Sequence, residues 1–285
     1  MALNDVAAKA RQLRSLHEQD TLVLPNVWDA ASAAVTVSAG APAVATTSGG
    51  VAWALGRRDG EGLTRGEMAE AVRRIATAVE VPVTADVEGG YGAEPPDVAA
   101  TVKAIIAAGA VGVNIEDSRA ADGSMVTLQE QARRLLAARE AAAAAAVPQL
   151  VINARTDVFL RQVGDPAGRL DDVLQRAAGY AEAGADVLFV PGLLDLDVLK
   201  RLVAASPLPV NVMAGPGGPS VAELSAIGVR RVTVGTAIAQ AAYTVARQAA
   251  RELLGTGTYS TLSSGISYPE LDALFPADTR SAEGA

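Results

Sequence analysis

The segment Pro82-Val83-Thr84-Ala85-Asp86-Val87-Glu88-Gly89-Gly90 decides the fold of this 285-residue chain. A short apolar run ends in two acidic residues and a glycine pair, as expected for a buried strand that leads into a functional loop. Eight segments of this kind recur at intervals of about 20 to 40 residues, with helix-like stretches between them. They read VLPNVWDA (23–30), AVATTSGG (43–50), PVTADVEGG (82–90), VGVNIEDS (111–118), LVINARTD (150–157), VLFVPG (187–192), PVNVMAG (209–215) and VRRVTVGT (229–236).

The regular alternation of strands and helices predicts an α/β protein with parallel strands. Eight strands of similar length favour a (β/α)₈ TIM barrel, whose active site is formed by the carboxyl ends of the strands. An open doubly wound sheet is the alternative, but the GxGxxG fingerprint is absent after the first strand. We predict one barrel domain over residues 1–276, which begins with a helix at 4–19, and a flexible tail over 277–285.

Composition excludes several partners. The net charge of -8 disfavours nucleic acid and anionic membrane surfaces. No apolar stretch is long enough to span a bilayer without glycine, proline or charge, and no signal-peptide pattern is present, so we expect a cytoplasmic protein. Half of the residues are hydrophobic but only 4% are aromatic, which predicts a large core of alanine, valine, leucine and isoleucine.

The scarcity of three residue types narrows the chemistry. Cysteine is absent, so thiolate metal sites and cysteine nucleophiles are excluded. The one histidine, His17, lies in the N-terminal helix, away from any strand end. Lys9, Lys103 and Lys200 fall in probable helices, which argues against a Schiff-base aldolase. Carboxylates, arginines, hydroxyls, amides and a bound metal remain as the means of catalysis.

Acidic residues near the strand ends predict a metal site. Asp86 and Glu88 are two residues apart and therefore point to the same side of their strand. Glu116 ends the next strand, and Asp59 follows the strand before. Carboxylate oxygens and water are the ligands that Mg²⁺ prefers, so Asp86, Glu88 and Glu116 are predicted to share one ion. Solvated acids at a barrel rim are the alternative interpretation.

Two further groups suit a carboxylate ligand. An arginine at a strand end, Arg155, requires an anionic partner, which is either a substrate carboxylate or a structural pair with Glu116 or Asp157. The Ser48-Gly49-Gly50 turn offers a hydroxyl and free amides where glycine allows close approach. Trp28 is predicted to line the pocket wall.

Taken in order along the chain, these motifs resemble the isocitrate lyase and phosphoenolpyruvate mutase superfamily. They are Asn26-Val27-Trp28-Asp29-Ala30, Thr47-Ser48-Gly49-Gly50, Asp59-Gly60, Asp86 and Glu88 before Gly90-Tyr91-Gly92, Ile115-Glu116-Asp117, Asn153-Ala154-Arg155-Thr156-Asp157, and Asn211. The resemblance implies a barrel in a homodimer or homotetramer, with the eighth helix swapped between neighbours. It also implies Mg²⁺ or Mn²⁺ near Asp86, Glu88 and Glu116, held partly through water.

The resemblance further implies what the pocket binds and does. Ser48, Gly49, Gly50 and Arg155 would bind a substrate carboxylate, with Asp59 and Asn211 in the pocket. Family members make or break C–C or P–C bonds beside a pyruvate-like unit, through an enolate. We therefore expect a Mg²⁺-dependent lyase that acts on a small 2-oxo or 2-hydroxy (di)carboxylic acid. A P–C bond enzyme, either a phosphonomutase or a phosphonopyruvate hydrolase, and a non-catalytic carboxylate-binding barrel are the alternatives.

Two segments depart from the family pattern. The lyases carry a Lys-Arg-Cys-Gly-His type of loop after strand 4, whereas this chain has Arg119-Ala120-Ala121-Asp122-Gly123-Ser124-Met125. Ser124 stands near the position of the family cysteine, so Tyr91 and Ser124 are the remaining predicted proton donors. The end of strand 6 reads Val190-Pro191-Gly192, where family members often have a glutamate or a histidine.

Overall fold

The computed structural model describes residues 3–275, and in this range nine parallel strands form a single sheet with eleven helices around it. The strands are β1 (Leu22–Val23), β2 (Asn26–Val27), β3 (Val44–Thr46), β4 (Val83–Asp86), β5 (Gly112–Glu116), β6 (Val151–Arg155), β7 (Val187–Phe189), β8 (Val210–Met213) and β9 (Arg231–Thr233). The helices are α1 (Leu3–Glu18), α2 (Ala30–Ser38), α3 (Ser48–Ala54), α4 (Arg65–Ala78), α5 (Pro95–Ala108), α6 (Leu128–Ala144), α7 (Arg169–Glu182), α8 (Leu196–Ala205), α9 (Val221–Ala226), α10 (Ala237–Gly255) and α11 (Tyr268–Asp272).

The sheet closes into a barrel through its first two strands. β1 pairs with β9 at one end of the strand order, and β2 pairs with β3 at the other. Only Leu24 and Pro25 separate β1 from β2, so the two are halves of one barrel strand. The sequence predicted a continuous strand there, and the interruption falls at Pro25, which has no N–H to donate to a neighbour. The predicted (β/α)₈ barrel is confirmed.

Local sequence signals account for several element boundaries. Thr64 caps α4 by accepting a hydrogen bond from the Glu67 N–H, while the Glu67 side chain accepts from the Thr64 N–H, and together they form a capping box. α1 covers the amino-terminal end of the barrel, where its buried Leu13 lies against Gly112 at the start of β5. A Cβ at Gly112 would come within 3.0 Å of Leu13 and 2.6 Å of the Thr84 hydroxyl, so only glycine fits.

One helix near the pocket was missed by sequence reasoning. Ser48-Gly49-Gly50 was predicted to be a turn, but it forms the first turn of α3. A Cβ at Gly50 would lie 2.8 Å from the Trp28 Cβ, so the glycine lets α3 pack tightly against the end of β2. Glycine is a poor helix former, which is why the segment looks like a loop in the sequence.

The C-terminal part of the described chain contacts the barrel sparsely. Ala239 is the buried residue of α10, and Tyr243 meets Trp28 with 6.2 Å between ring centroids. Further along α10, Val245, Leu253 and Leu254 are exposed. Among residues 3–275, no helix is both long and apolar enough to cross a membrane. The predicted tail, 277–285, lies outside the described residues.

Candidate active site at the carboxyl ends of the strands

Two adjoining cavities open where the strands end. The inner one has a volume of about 230 Å³ and the outer one about 340 Å³. Ser48, Asp59, Arg155 and Leu160 line both, so the two form a continuous site. The inner cavity is lined by Asn26, Ala45, Thr46, Thr47, Ser48, Asp59, Thr84, Ala85, Asp86, Asn114, Asn153, Arg155, Leu160, Phe189, Pro191, Asn211, Met213, Arg231, Thr233, Gly235 and Thr236.

Asp86 ends β4 and is held in place by neighbouring strands. Its carboxylate accepts hydrogen bonds from the Ser48 N–H at 3.2 Å and from the Asn114 amide at 3.1 Å. Asn114 in turn accepts a hydrogen bond from Asn153 at 2.8 Å, so β4, β5 and β6 are linked by one chain of side chains. This chain fixes the Asp86 carboxylate at the wall of the inner cavity.

Glu88 lies in a strained turn directly after β4. Its φ angle is +51° and that of Tyr91 is +57°, a region that residues other than glycine seldom adopt. Such strain often marks a functional site. The Glu88 carboxylate accepts hydrogen bonds from the Glu61 N–H and from the Tyr91 hydroxyl, the latter at 3.1 Å. Burial, with smaller repulsion from Asp86 and Asp59, raises the pKa of Glu88 to about 7.

An ion-pair network joins β5 to β6. Arg155 Nη1 lies 2.8 Å from a Glu116 oxygen, and Arg155 Nε lies 2.6 Å from Asp157. Ser118 donates to an Asp157 oxygen at 2.8 Å and also contacts Glu116. Burial raises the pKa of Glu116, and the positive charge of Arg155 opposes that shift. Arg155 lines both cavities, but its guanidinium is already paired with two carboxylates. This is the structural pairing that the sequence offered as an alternative to a substrate carboxylate.

Asp59 reaches the site from the exposed loop between α3 and α4. A Cβ on Gly49 would lie 3.1 Å from an Asp59 oxygen, so this carboxylate lies beside the first turn of α3. Desolvation, followed by repulsion from Asp86, raises the pKa of the Asp59 carboxyl, and a hydrogen bond with Ser48 opposes the shift. Asp59, Asp86, Glu88 and Glu116 thus form a region of mutually repelling negative charge.

The carboxylates supply the negative charge that a cation site needs, but they are not close enough together to bind one ion directly. Within residues 3–275, no three acidic, histidine or cysteine side chains converge closely enough to hold one ion directly. Asp86, Glu88 and Glu116 were predicted to share an ion held partly through water, and that site stays a prediction. Uncompensated negative charge beside a cavity nevertheless suits a divalent cation that keeps several waters, as Mg²⁺ usually does.

The structure brings most of the other predicted residues to the site, but not all of them. Ser48 and Asn211 line the inner cavity, whereas Gly49 and Gly50 lie just behind Ser48 in α3. Trp28 lines a separate cavity with Leu55 and Arg74 instead.

Ser124 lies apart from this group. It is exposed in the 119–125 loop, where its carbonyl accepts from the Arg119 N–H at 2.9 Å. Neither cavity is lined by this residue. The sequence position that suggested a proton donor therefore corresponds to a solvent-facing side chain.

Asp117, of the Ile115-Glu116-Asp117 motif, has a structural role. Asp117 is fully buried on the outer side of β5, and accepts hydrogen bonds from the Tyr180 hydroxyl at 2.6 Å and from Arg176 at 3.0 Å. It also accepts from the Asp157 N–H at 2.9 Å. Asp117 thus ties β5 to α7 and supports the loop that carries Asp157.

Sequence reasoning missed Arg231 as a site residue. It is buried in β9 and lines the inner cavity. The sequence held a signal for it, because two successive arginines, 230 and 231, lie in the predicted strand segment 229–236, and side-chain alternation turns one of them inward.

Comparison with known proteins is consistent with this geometry. The family model described as phosphoenolpyruvate phosphomutase matches residues 13–254. An uncharacterized protein of Mycobacterium tuberculosis is 36% identical over 260 residues, which cover 90% of this chain and 93% of that protein. An oxaloacetate decarboxylase of Bradyrhizobium sp. (strain ORS 278) is 30% identical over 277 residues, which cover 94% and 90% of the two chains.

Solved structures of related proteins are similar to this chain over most of its length. A protein of Burkholderia cenocepacia J2315, provisionally described as a phosphonomutase, is 48% identical with a TM-score of 0.80, over 84% of this chain and 98% of that one. Oxaloacetate acetylhydrolase in complex with the product oxalate is 27% identical with a TM-score of 0.84, over 94% of each chain.

Proposed function

The chain belongs to the isocitrate lyase and phosphoenolpyruvate mutase superfamily, and from this premise we propose that it is a carbon–carbon lyase for small 2-oxo or 2-hydroxy acids. One observation carries the proposal. Four carboxylates, the Arg155 cation and the first turn of α3 surround the same pair of adjoining cavities. This arrangement suits a carboxylic acid and a divalent cation together.

Different residues of the site would bind the substrate carboxylate and the cation. The first turn of α3 would bind a substrate carboxylate through helix amides that have no partner within the helix. The Ser48 hydroxyl would join them by exchanging its hydrogen bond with Asp59 for one with the substrate. Arg155 adds positive charge to the lining of the same cavity. Asp86, with Asp59, Glu88 and Glu116 around it, would hold Mg²⁺ or Mn²⁺ partly through water. When bound, the ion would supply a Lewis acid that polarises the 2-oxygen of the substrate.

Decarboxylation is the reaction that these side chains favour. In a 3-carboxy-2-oxo acid such as oxaloacetate, the C3–C4 bond breaks, carbon dioxide leaves, and the electron pair remains on C3 as the pyruvate enolate. A solvent proton at C3 then completes pyruvate. Leu160, Phe189, Pro191 and Met213 form an apolar wall, which limits water around the enolate and strengthens the electrostatic interactions in the site.

A retro-aldol cleavage would require a stronger internal acid than the site offers. Burial and the neighbouring carboxylates raise the pKa of Tyr91 above that of a free tyrosine, so this hydroxyl is a poor proton donor. Ser124 is exposed and lies outside the cavities. The end of strand 6, where family members often have a glutamate or a histidine, reads Val190-Pro191-Gly192 and carries no acidic side chain.

We expect the purified chain with Mg²⁺ to release pyruvate from oxaloacetate faster than from 2-methylmalate, with phosphonopyruvate the slowest substrate. Pyruvate is measured by coupling to lactate dehydrogenase, and Mg²⁺ without protein gives the spontaneous rate. Activity should be lost on chelation and restored by Mg²⁺ or Mn²⁺. Calorimetric binding of these acids without any turnover would contradict the lyase and support the non-catalytic barrel.

A P–C bond enzyme is the second candidate, favoured by the 48% identity to the Burkholderia protein. A phosphonate dianion calls for cationic side chains near its oxygens. The arginine that the 119–125 loop offers, Arg119, is instead paired with Glu130 at 2.9 Å. The loop therefore gives less support to phosphonate binding than the rest of the cavity gives to carboxylates. Faster turnover of phosphonopyruvate than of oxaloacetate would reverse this order.

We also propose that the chain forms a homodimer or homotetramer through α10. Exposed apolar side chains along this helix, Val245, Leu253 and Leu254, form a surface that a single chain leaves open to water. Leu254 is 87% exposed. A helix swapped onto a neighbouring barrel would bury these side chains, and the sparse contact of α10 with its own barrel permits such an exchange.

The double substitution Leu253→Glu and Leu254→Glu should convert the oligomer into monomers, because two charges would have to be buried in the interface. Light scattering coupled to size-exclusion chromatography measures the mass. Leu136→Glu, on the exposed side of α6, is the matched control and should leave the mass unchanged. A wild-type monomer, or an oligomer unaffected by the α10 substitutions, would contradict the proposal.

A further inference from the structure

The loop between α3 and α4 supplies part of the wall of the outer cavity. We call residues 55–62 the Asp59 loop. Asp59 and Gly60 line the outer cavity, yet the loop residues before position 61 are exposed to solvent. Leu63 is buried and fixes the end of the loop that leads into α4. The middle of the loop therefore needs a contact of its own with the barrel to keep Asp59 at the site.

Glycines give the Asp59 loop little support. Gly56 and Gly60 have φ angles of +71° and +90°, in the region that favours glycine. A Cβ at either position would meet no atom within 4 Å, so neither glycine is packed against the rest of the protein. Such positions can act as hinges, because they absorb changes of φ and ψ without a clash. The loop stays in place only if another residue holds it.

Glu61 joins the Asp59 loop to the turn that follows β4. Its N–H donates to the Glu88 carboxylate, and its own carboxylate accepts from the Tyr91 N–H at 2.9 Å. Glu61, Glu88 and Tyr91 all have positive φ angles, of +56°, +51° and +57°. Residues other than glycine keep this conformation only where the surrounding contacts enforce it. The two hydrogen bonds are contacts of that kind, and they join loop and turn at two points.

The turn after β4 is itself supported by α6. Arg134 is 3% exposed and donates to the Gly89 carbonyl and, at 2.7 Å, to Gln131. A Cβ at Gly89 would lie 3.0 Å from a Glu61 carboxylate oxygen and 3.5 Å from Arg134, so both side chains lie against this glycine. Glu61 thus contacts a part of the chain that is fixed from the inside.

We propose that Glu61 is a positioning residue, which holds the Asp59 loop against the turn after β4 and so sets the place of Asp59 relative to Glu88. Glu61 is in the lining of neither cavity, so it acts through the residues that it holds. If its contact breaks, the wall formed by Asp59 and Gly60 moves away and the outer cavity opens. The inference rests on the proposed function in one respect, namely that Asp59 and Glu88 act on the substrate or its cation.

Limited digestion with trypsin tests the contact without any turnover. Arg57 and Arg58 are exposed in the Asp59 loop, and their cleavage reports how often the loop opens. Glu61→Ala removes the acceptor of the Tyr91 N–H, a charge-assisted hydrogen bond, so cleavage at these arginines should become about 10-fold faster. Mass spectrometry identifies the cleavage sites. The wild-type cleavage rate in Glu61→Ala would overturn the proposal.

Conservative variants separate this contact from a general loss of stability. In Glu61→Gln the amide oxygen still accepts from the Tyr91 N–H, so cleavage should stay within about 3-fold of the wild-type rate. Equal acceleration in Glu61→Gln and Glu61→Ala would contradict the role of the acceptor and overturn the proposal. If Glu61→Ala fails to fold, Glu61→Asp shortens the side chain by one methylene and should also accelerate cleavage. Glu80→Ala, at an exposed position after α4, is the matched control and should be cleaved as wild type is.

The effect on the site is measured separately. Mn²⁺ affinity, from electron paramagnetic resonance, and kcat/KM should each fall about 10-fold in Glu61→Ala and recover in Glu61→Gln. Faster cleavage with both quantities unchanged would show that the loop does not position the site, which overturns the proposal. Wild-type protein that turns over none of the acids would reject the lyase activity, while cleavage and Mn²⁺ affinity that depend on Glu61 would still support its positioning role.

Discussion

Asp86→Asn should lower kcat/KM by about 1,000-fold while the protein remains folded. Lewis-acid stabilisation of an enolate is worth several kcal/mol, and each 1.36 kcal/mol corresponds to about a factor of ten in rate. The asparagine oxygen can still accept from the Ser48 N–H, although the Asn114 amide then loses its acceptor. What is removed is the negative charge that would hold the cation.

Two measurements make this prediction specific. Pyruvate release gives kcat/KM, and Mn²⁺ binding followed by electron paramagnetic resonance should show weakened affinity for the metal. Glu140→Gln, the same carboxylate-to-amide change on the exposed side of α6, is the control and should leave both quantities unchanged. Asp86→Asn with near wild-type activity would mean that this carboxylate does not hold a catalytic ion.

Asp117→Asn should lower the free energy of unfolding by about 3 kcal/mol, because it removes the buried charge that faces Arg176 and Tyr180. For a chain of this size, a loss of that order lowers Tm on the order of 10 °C. Thermal and urea denaturation at a fixed protein concentration measure the change.

A second ion pair of Arg176, with Asp172, provides the control for this prediction. The same guanidinium pairs with Asp172 at 3.0 Å, where the aspartate side chain is 41% exposed. Asp172→Asn should therefore lower the free energy of unfolding by less than about 1 kcal/mol. Equal losses from the two substitutions would show that burial of the pair does not decide its strength.

Strand identities could be predicted because each strand is a short apolar run bounded by glycine, proline or polar residues. Each of the eight predicted segments contains an observed strand, as 209–215 contains Val210–Met213. The failures have local causes. Pro25 interrupts the first strand, and the glycines of Ser48-Gly49-Gly50 hide the start of α3.

The sequence could predict which residues lie at the candidate site, but not which of their side chains form ion pairs with one another. Alternation along the strands placed Asp86, Glu116 and Arg155 at one end of the barrel, where the structure has them. It could not decide whether Arg155 binds a substrate carboxylate or pairs with Glu116 and Asp157, since such pairs depend on side-chain directions across strands. The loop position of Ser124 was transferred by counting, and counting does not show whether a residue faces a cavity or solvent.

The apolar wall and the charged side of the cavity belong to different parts of the barrel. Carboxylates, Ser48 and Arg155 come from β3 to β6 and the segments that follow them, whereas Phe189, Pro191 and Met213 come from β7 and β8. Substitutions of Pro191 and Met213 can reshape the space around the substrate, whereas the Phe189 ring lies 6.0 Å from the Arg155 guanidinium, so its substitution would also alter the first group. Substrate preference can therefore change through a few substitutions among the apolar residues that line the cavity, while the carboxylates, Ser48 and Arg155 stay the same.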